Sequence, residues 1–471
     1  MSRLAEEFLI AAAQKSADLT HRATIKRNVD SYDTAVAKGK LRFADWEAAR
    51  TYAARVKGEA VSNLAPLLEE FERKIVARGG HVYWAETADD ARQYICDVAR
   101  KNNVKTVVKS KSMVTEEIHL LPALEKLGIK VWETDLGELI VQLRNEPPYH
   151  IVTPAMHLTR EQIRDLFQQK LPDDMNGESH QELVAAARRF LRRAFFAAEM
   201  GISGANFLVA DAGMVAISTN EGNGRLTTSL PRVHVVVTGI EKVIPRLEDL
   251  GVLWPVLATS GTGQPITTYS TLIGGPRAEG EVDGPEEFHV VLLDNGRTEV
   301  LADEEQQELL RCIRCGACLN KCPVYRSVGG HAFNTTYPGP IGSALTPIVN
   351  GMKDWGHLSY ACSLCTACDS VCPVKIKLSG HLLENRRKYV SEGDAKTSEK
   401  VGFSVFRWAT AGPRRFALLG WFGRKITRAA LAIGMSPHAL GPLASWTKYR
   451  AMPDVPKDSF RALWEKNDGN F

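Results

Sequence analysis

Two cysteine runs of identical spacing constrain this chain more than anything else in it. Cys312, Cys315, Cys318 and Cys322, followed by Pro323, spell C-x2-C-x2-C-x3-C-P, and Cys362, Cys365, Cys368, Cys372 and Pro373 repeat the pattern. Three thiolates two residues apart can wrap one loop around three irons of a cubane, while the fourth lies beyond the loop and in two-cluster proteins serves the other cluster. The spacing therefore predicts two [4Fe-4S] clusters. Cys312, Cys315, Cys318 and Cys372 hold the first; Cys362, Cys365, Cys368 and Cys322 hold the second. Zinc is excluded because structural zinc sites use paired C-x2-C units, with no role for a third cysteine so close. Disulfides fit poorly with the cytoplasmic location that the N-terminus suggests. The ninth cysteine, Cys96, sits beside Ile95 and Val98 in a helical pattern and reads as a core thiol.

A chain of 471 residues exceeds one hydrophobic core, and its 44% apolar and 24% charged residues are those of an ordinary globular protein. A net charge of +4 over that length argues against nucleic acid. The start, MSRLAEEFLIAAAQKSADL, reads as an amphipathic helix rather than a signal peptide, and no run of 18 apolar residues occurs. A cytoplasmic protein is expected, with attachment to the inner face of the membrane as the variant reading.

Residues 1–75 read as a helical lead-in packed on the next domain. From His81 the pattern alternates: HVYWA as a strand, a helix capped by Thr87, KTVVKS as a second strand, a helix over Thr115–Leu127, and KVWET as a third strand. Strands separated by helices imply parallel βαβ units. Leu183, Ala187, Phe190 and Ala194 form a helical apolar stripe, FLVADAGMVAIST two short strands about an Ala212-Gly213 turn, and RVHVVVTG a buried strand. FHVVLLD and the segment Thr298–Leu301 are the last strands expected. The division predicted is a lead-in over 1–75, an α/β domain over 76–302, a mainly helical two-cluster module over 303–395 and a C-terminal region over 396–471.

Arg311, Arg314 and Lys321 flank the first cysteine run and Asp369 lies in the second, so the first cluster is expected to have the higher potential. In the α/β domain, Lys109 and Lys111 follow a strand and precede a helix, where cations and loop amides suit a carboxylate. Glu133 and Asp135 follow the next strand, and Asn220 and Glu221 occupy a glycine-containing polar loop. These six are the candidate substrate-binding residues, and no catalytic residue is assigned. The GTG at 261–263 lacks the third glycine of a dinucleotide fingerprint, and no trusted flavin or nicotinamide motif is present.

Residues 401–471 hold eleven Lys or Arg against four Asp or Glu, and include Trp408, Trp421, Trp446 and Trp464. FALLGWFGRKITRAALAIG, at 416–434, suits a membrane surface or a face packed on the cluster module or a partner.

KSKSMVTEEI at 109–118, ETDLGELIVQL at 133–143, TNEGNGR at 219–225, LPRVHVVVTGIEKVIP at 230–245 and TSGTGQPITTYSTLIGGPR at 259–277 resemble the lactate-utilization domain. With two cysteine runs behind them, nearly the whole chain resembles the family of B-type iron-sulfur subunits of the three-part lactate utilization system. The resemblance implies an α/β domain similar to the CoA-transferase-like and sugar-isomerase-like fold. It also implies electron transfer during oxidation of L-lactate to pyruvate, beside a second cysteine-rich iron-sulfur subunit and a smaller subunit with only the lactate-utilization domain. The other reading is a self-contained oxidoreductase or acyl-transfer enzyme with its active site in the α/β domain.

Overall fold

The computed structural model describes residues 2–392, 397–433, 450 and 454–467. The chain divides into two compact units, 1–392 and 393–471.

Within the first unit, six strands build one parallel sheet. They are β1 (His81–Ala85), β2 (Thr106–Lys109), β3 (Lys130–Glu133), β4 (Met200–Ser203), β7 (Val233–Gly239) and β10 (Glu287–Leu293). Their spatial order is β1-β10-β7-β4-β2-β3, and every neighbouring pair is parallel. All seven residues of β7 are buried. That is why RVHVVVTG shows no polar alternation: both faces of a central parallel strand are covered. On one face Val233, Val235 and Val237 pack with Ile95, Ala99 and Leu124; on the other Val236 meets Phe71, Ile75 and Phe288. Each such fully buried side chain contributes about 1.5–3 kcal/mol.

A second sheet, not legible as such in the sequence, has the order β8-β5-β6-β9. It pairs β5 (Phe207–Val209) and β6 (Met214–Thr219), antiparallel across the expected Ala212-Gly213 turn, with β8 (Val243–Ile244) and β9 (Tyr269–Ile273).

Three local expectations are corrected. The single helix over Thr115–Leu127 is two, Met113–Glu117 and Leu120–Glu125, broken at His119 with φ 49°. Pro122 has no N–H to give the Ile118 carbonyl, which instead accepts from Arg92 Nη1 at 2.5 Å. Thr298–Leu301 is helical, within Arg297–Ala302, because Asp294 accepts from the Thr298 N–H at 2.7 Å and its hydroxyl at 2.8 Å, after a turn through Asn295 and Gly296 at positive φ. Within the module expected to be mainly helical, LLRCIRC at 309–315 ends a short 3-10 turn over Gln307–Arg311 and then runs as a loop.

The helical lead-in comprises α1 (Arg3–Ala17), α2 (Leu19–Lys40), α3 (Trp46–Ser62) and α4 (Leu64–Ala77). Only part of it packs as expected. α4 lies on the sheet through Leu68, Phe71 and Ile75, whereas Phe8, Ile25, Val29 and Val56 join a core shared with Tyr325, Phe333 and the cysteine loops.

The second unit contains helices over Thr397–Thr410, Pro413–Ala432 and Phe460–Lys466. Phe403, Phe406, Trp408, Phe416, Trp421, Phe422 and Trp464 are exposed, as Trp-rich amphipathic patterning suggests; Trp446 lies outside the described residues. Among the described residues no helix is long and apolar enough to cross a membrane.

Candidate metal centre

The two cysteine runs fold as a structural repeat. In the first, Arg314 and Gly316 have φ 57° and 77°; in the second, the equivalent Leu364 and Thr366 have φ 53° and 61°. Each left-handed pair turns the loop so that a short helix starts beyond it, Ala317–Lys321 and Ala367–Val371. Within each loop a backbone N–H points at the first sulfur: Arg314 N to Cys312 Sγ at 3.4 Å, and Leu364 N to Cys362 Sγ at 3.3 Å. The distal cysteines receive the Tyr325 N–H at 3.5 Å on Cys322 and the Ile376 N–H at 3.3 Å on Cys372. Such donors stabilise negative sulfur and help set cluster potential.

The runs cross. Cys312, Cys315 and Cys318 line one small apolar cavity together with Cys372 of the other run, beside Ile313, Ile341, Val374 and Leu378. Cys322 in turn lies within electrostatic reach of Cys362, Cys365 and Cys368. Burial pushes the Cys315 and Cys318 thiols up, and the neighbouring cysteines add to it. Burial likewise pushes Cys372 up to about 12, with Cys312 contributing. Four thiolates in an apolar pocket need a compensating cation, and iron supplies it; the donor set fits a [4Fe-4S] cluster. Cys96 is buried in the helix Ala88–Lys101, where burial raises its thiol too, away from these groups.

Cations hold the backbone of the loops. Arg50 on α3 donates from Nη2 to the Cys372 carbonyl at 2.7 Å, and Arg386 Nη2 donates to the Cys362 carbonyl at 2.7 Å. Lys321 and Arg326 pair with Asp33 on α2 at 2.8 and 2.5 Å. Arg314 stacks on Tyr337 with its guanidinium 4.3 Å from the ring centroid and pairs with Glu241 at 3.4 Å. Glu241 also pairs with Arg297 at 2.6 Å, and Arg297 with Glu117 at 2.9 Å. This chain of charges joins the first cysteine loop to the carboxyl edge of the parallel sheet.

At that same edge is a cavity of about 450 Å³, lined by Glu116, Glu117, His119, Asn295, Arg297 and, from the cysteine-bearing region, Thr335, Thr336, Tyr337 and Thr346. Its position beyond the strand ends is where open α/β sheets bind ligands. Beside it lies a buried charge cluster. Lys109 Nζ, fully buried at the end of β2, pairs with Glu133 at 2.8 Å and Glu116 at 3.3 Å. Burial alone would lower this ammonium's pKa, but Glu133, Glu116 and Glu138 raise it. Burial raises Glu133 well above the usual carboxylate range and Glu138 to about 7.

The six residues singled out from the sequence thus separate. Lys109 and Glu133 form one closed pair. Lys111 donates from Nζ to the Val152 carbonyl, Asp135 caps the helix Leu136–Arg144, and Glu221 accepts the Leu136 N–H at 3.0 Å. Burial and the nearby Asp135 carboxylate raise Glu221 to about 7. Asn220 turns instead to Gln264 and Thr268. Glu138, which follows the same strand as Glu133 and Asp135, joins the Lys109 cluster as the pattern of acidic groups there suggests, whereas Glu116, Arg297 and Glu241 were missed. Glu116 and Glu241 lie inside motifs already noted, but the convergence of Glu116, Glu133 and Glu138 on Lys109 requires the sheet register that places β2 beside β3.

Three regions of the chain match known protein families. Residues 68–293 match the LUD domain, 308–376 a 4Fe-4S dicluster domain and 384–468 the C-terminal domain of lactate utilisation protein B. Lactate utilization protein B of Anoxybacillus flavithermus is 46% identical over 437 residues, covering 91% of this chain and 90% of that one. Lactate utilization protein B of Bacillus subtilis is 46% identical, covering 89% and 88%. The electron transport protein YkgF of Escherichia coli K12 is 44% identical, covering 90% and 88%.

Proposed function

The chain belongs to the lactate utilization protein B family, and on that premise we propose that it is the iron-sulfur electron-transfer subunit of a complex oxidising L-lactate to pyruvate. The observation that carries this reading is the crossing of the two runs, with Cys372 at the cavity of the first and Cys322 beside the second. Cys312, Cys315, Cys318 and Cys372 would hold one [4Fe-4S] cluster; Cys362, Cys365, Cys368 and Cys322 would hold the other. Such clusters, when bound, supply one-electron transfer. The chain's own part is to bury the sulfurs, aim backbone N–H groups at them and fix the loops through Arg50 and Arg386.

Three cations at the carboxyl edge of the sheet are already engaged within the chain. Lys109 is closed off by Glu133 and Glu116, Lys111 is bound to the Val152 carbonyl, and Arg297 is shared by Glu117 and Glu241. This supports substrate oxidation on a partner, with a second cysteine-rich iron-sulfur subunit and a smaller lactate-utilization-domain subunit completing the complex.

The anaerobically purified chain should contain about eight irons. Lactate alone should leave it oxidised, and lactate with the partner subunits should reduce it. About half that iron, or lactate-dependent reduction by the isolated chain, would reject this division of labour.

A further inference from the structure

Outside the cysteine loops and the Lys109 cluster, one group of donors has no part in the electron-transfer reading. Glu146, His157 and His331 each present a ligand atom, all within 4.8 Å of one another. The first two belong to the segment between the helices Leu136–Arg144 and Arg160–Lys170; His331 opens a 3-10 turn of the cysteine-bearing region. Their rings are fixed by packing. Tyr149 stacks on His157 at 4.6 Å and meets His331 edge-on at 5.0 Å, and the two imidazoles are 5.0 Å apart.

The donor types suit a metal: two imidazoles and one carboxylate are what borderline divalent ions of the first transition row bind.

The surroundings supply outer contacts of the kind that orient metal ligands. Glu146 Oε1 accepts from Arg144 Nη2 at 2.6 Å, while its Oε2 faces His157 Nε2 at 3.1 Å within the cluster itself. His331 Nε2 lies 2.8 Å from the Pro147 carbonyl and donates to it, so Nδ1 carries the ring's lone pair. The buried Nδ1 of His157 has no hydrogen-bond partner.

We propose that Glu146, His157 and His331 bind one divalent transition-metal ion, separate from the cysteine centres. The ion ties the segment after the Leu136–Arg144 helix to the cysteine-bearing region. Three protein ligands leave a coordination position for water or a small ligand. Because His331 and Pro147 also line the 450 Å³ cavity, that ion sits at the cavity's edge.

The test uses the cluster-loaded chain, whose occupied cysteines do not compete, equilibrated with Zn²⁺ and desalted before metal analysis. Wild type should retain about one zinc per chain, and His331→Gln and Glu146→Gln none. Arg144→Gln should weaken binding roughly 10- to 100-fold. Zinc should raise the Tm of wild type and leave that of His331→Gln unchanged. Matching Tm values for the two without zinc show that the variant is folded. No retention by wild type, or equal retention by wild type and both ligand variants, overturns the proposal, while the electron-transfer reading stands or falls separately on the iron count.

Discussion

Arg50 and Cys372 are joined by two hydrogen bonds, Nε and Nη2 of the guanidinium donating to the cysteine carbonyl at 3.1 and 2.7 Å. A helix of the lead-in thus holds the cysteine that crosses to the first cavity. Hydrogen bonds from a charged donor contribute about 1.5–3 kcal/mol, and Arg50 is only 12% exposed. Arg50→Ala should lower stability by about 2 kcal/mol in denaturant unfolding and speed bleaching of the cluster absorbance in air. Wild-type bleaching in this variant would show that the contact leaves the cysteine's position unaffected.

The charges around the two runs differ in a way that sequence spacing only partly reveals. Arg311 pairs with Glu308, Arg314 with Glu241 and Lys321 with Asp33, so the cations near the first run are offset. Asp369 lies within 3.4 Å of Cys368 Sγ and accepts the Ser379 N–H at 2.9 Å, keeping a negative charge beside the second. A nearby anion disfavours the reduced, more negative cluster. Asp369→Asn should therefore raise the second midpoint potential and leave the first in place, as read by an EPR-monitored redox titration. A lowered or unmoved second midpoint would count against Asp369 as its determinant.

Gly316 and Thr366 occupy equivalent left-handed positions, yet only one of them is glycine. A Cβ on Gly316 would come within 2.9 Å of Val152 Cγ2 and 3.0 Å of His150 Cε1, on top of the backbone strain at φ 77°. Gly316→Ala should cost at least about 1 kcal/mol and reduce iron content, whereas Thr366→Gly should be close to neutral. Iron analysis and thermal unfolding of the pair check this; equal behaviour of the two variants would mean that the loops are not under the same backbone constraint.

What the sequence made legible follows from how local each feature is. The Thr87 cap with Asp90 and the uninterrupted apolar run of β7 are set by residues a few positions apart, and each has its expected form. The second sheet was not, because β8 and β9 are short and find their partners only through long-range pairing. Thr298–Leu301 misled because its β-branched residues fit a strand, while the decisive cap came from Asp294. Lys109 misled differently: a lysine after a strand suggests an anion site, and only the fold reveals three carboxylates around it.

That buried cluster gives stability an unusual pH dependence. Burial raises Glu138 from 4.5 to about 7, so the folded state binds its proton more tightly than the unfolded chain does. A carboxyl shifted upward favours folding below its unfolded pKa, and this contribution is lost as pH rises from about 4.5 to about 7. Glu138→Gln removes the titrating group and keeps its shape, so it should match wild type near pH 4.5 and exceed it by about 3 kcal/mol at pH 8. Lys109→Met should act in the opposite sense at neutral pH, because Glu133 and Glu116 then lose the ammonium they pair with. Removing one partner of a buried pair costs about 3–5 kcal/mol, and the cost should shrink towards acid pH as the carboxyls protonate. Urea unfolding of the three proteins at pH 5 and pH 8 measures both effects. A Glu138→Gln variant less stable than wild type at pH 8 would mean that the carboxylate is stabilising in its ionised form, and that Lys109 neutralises the cluster completely.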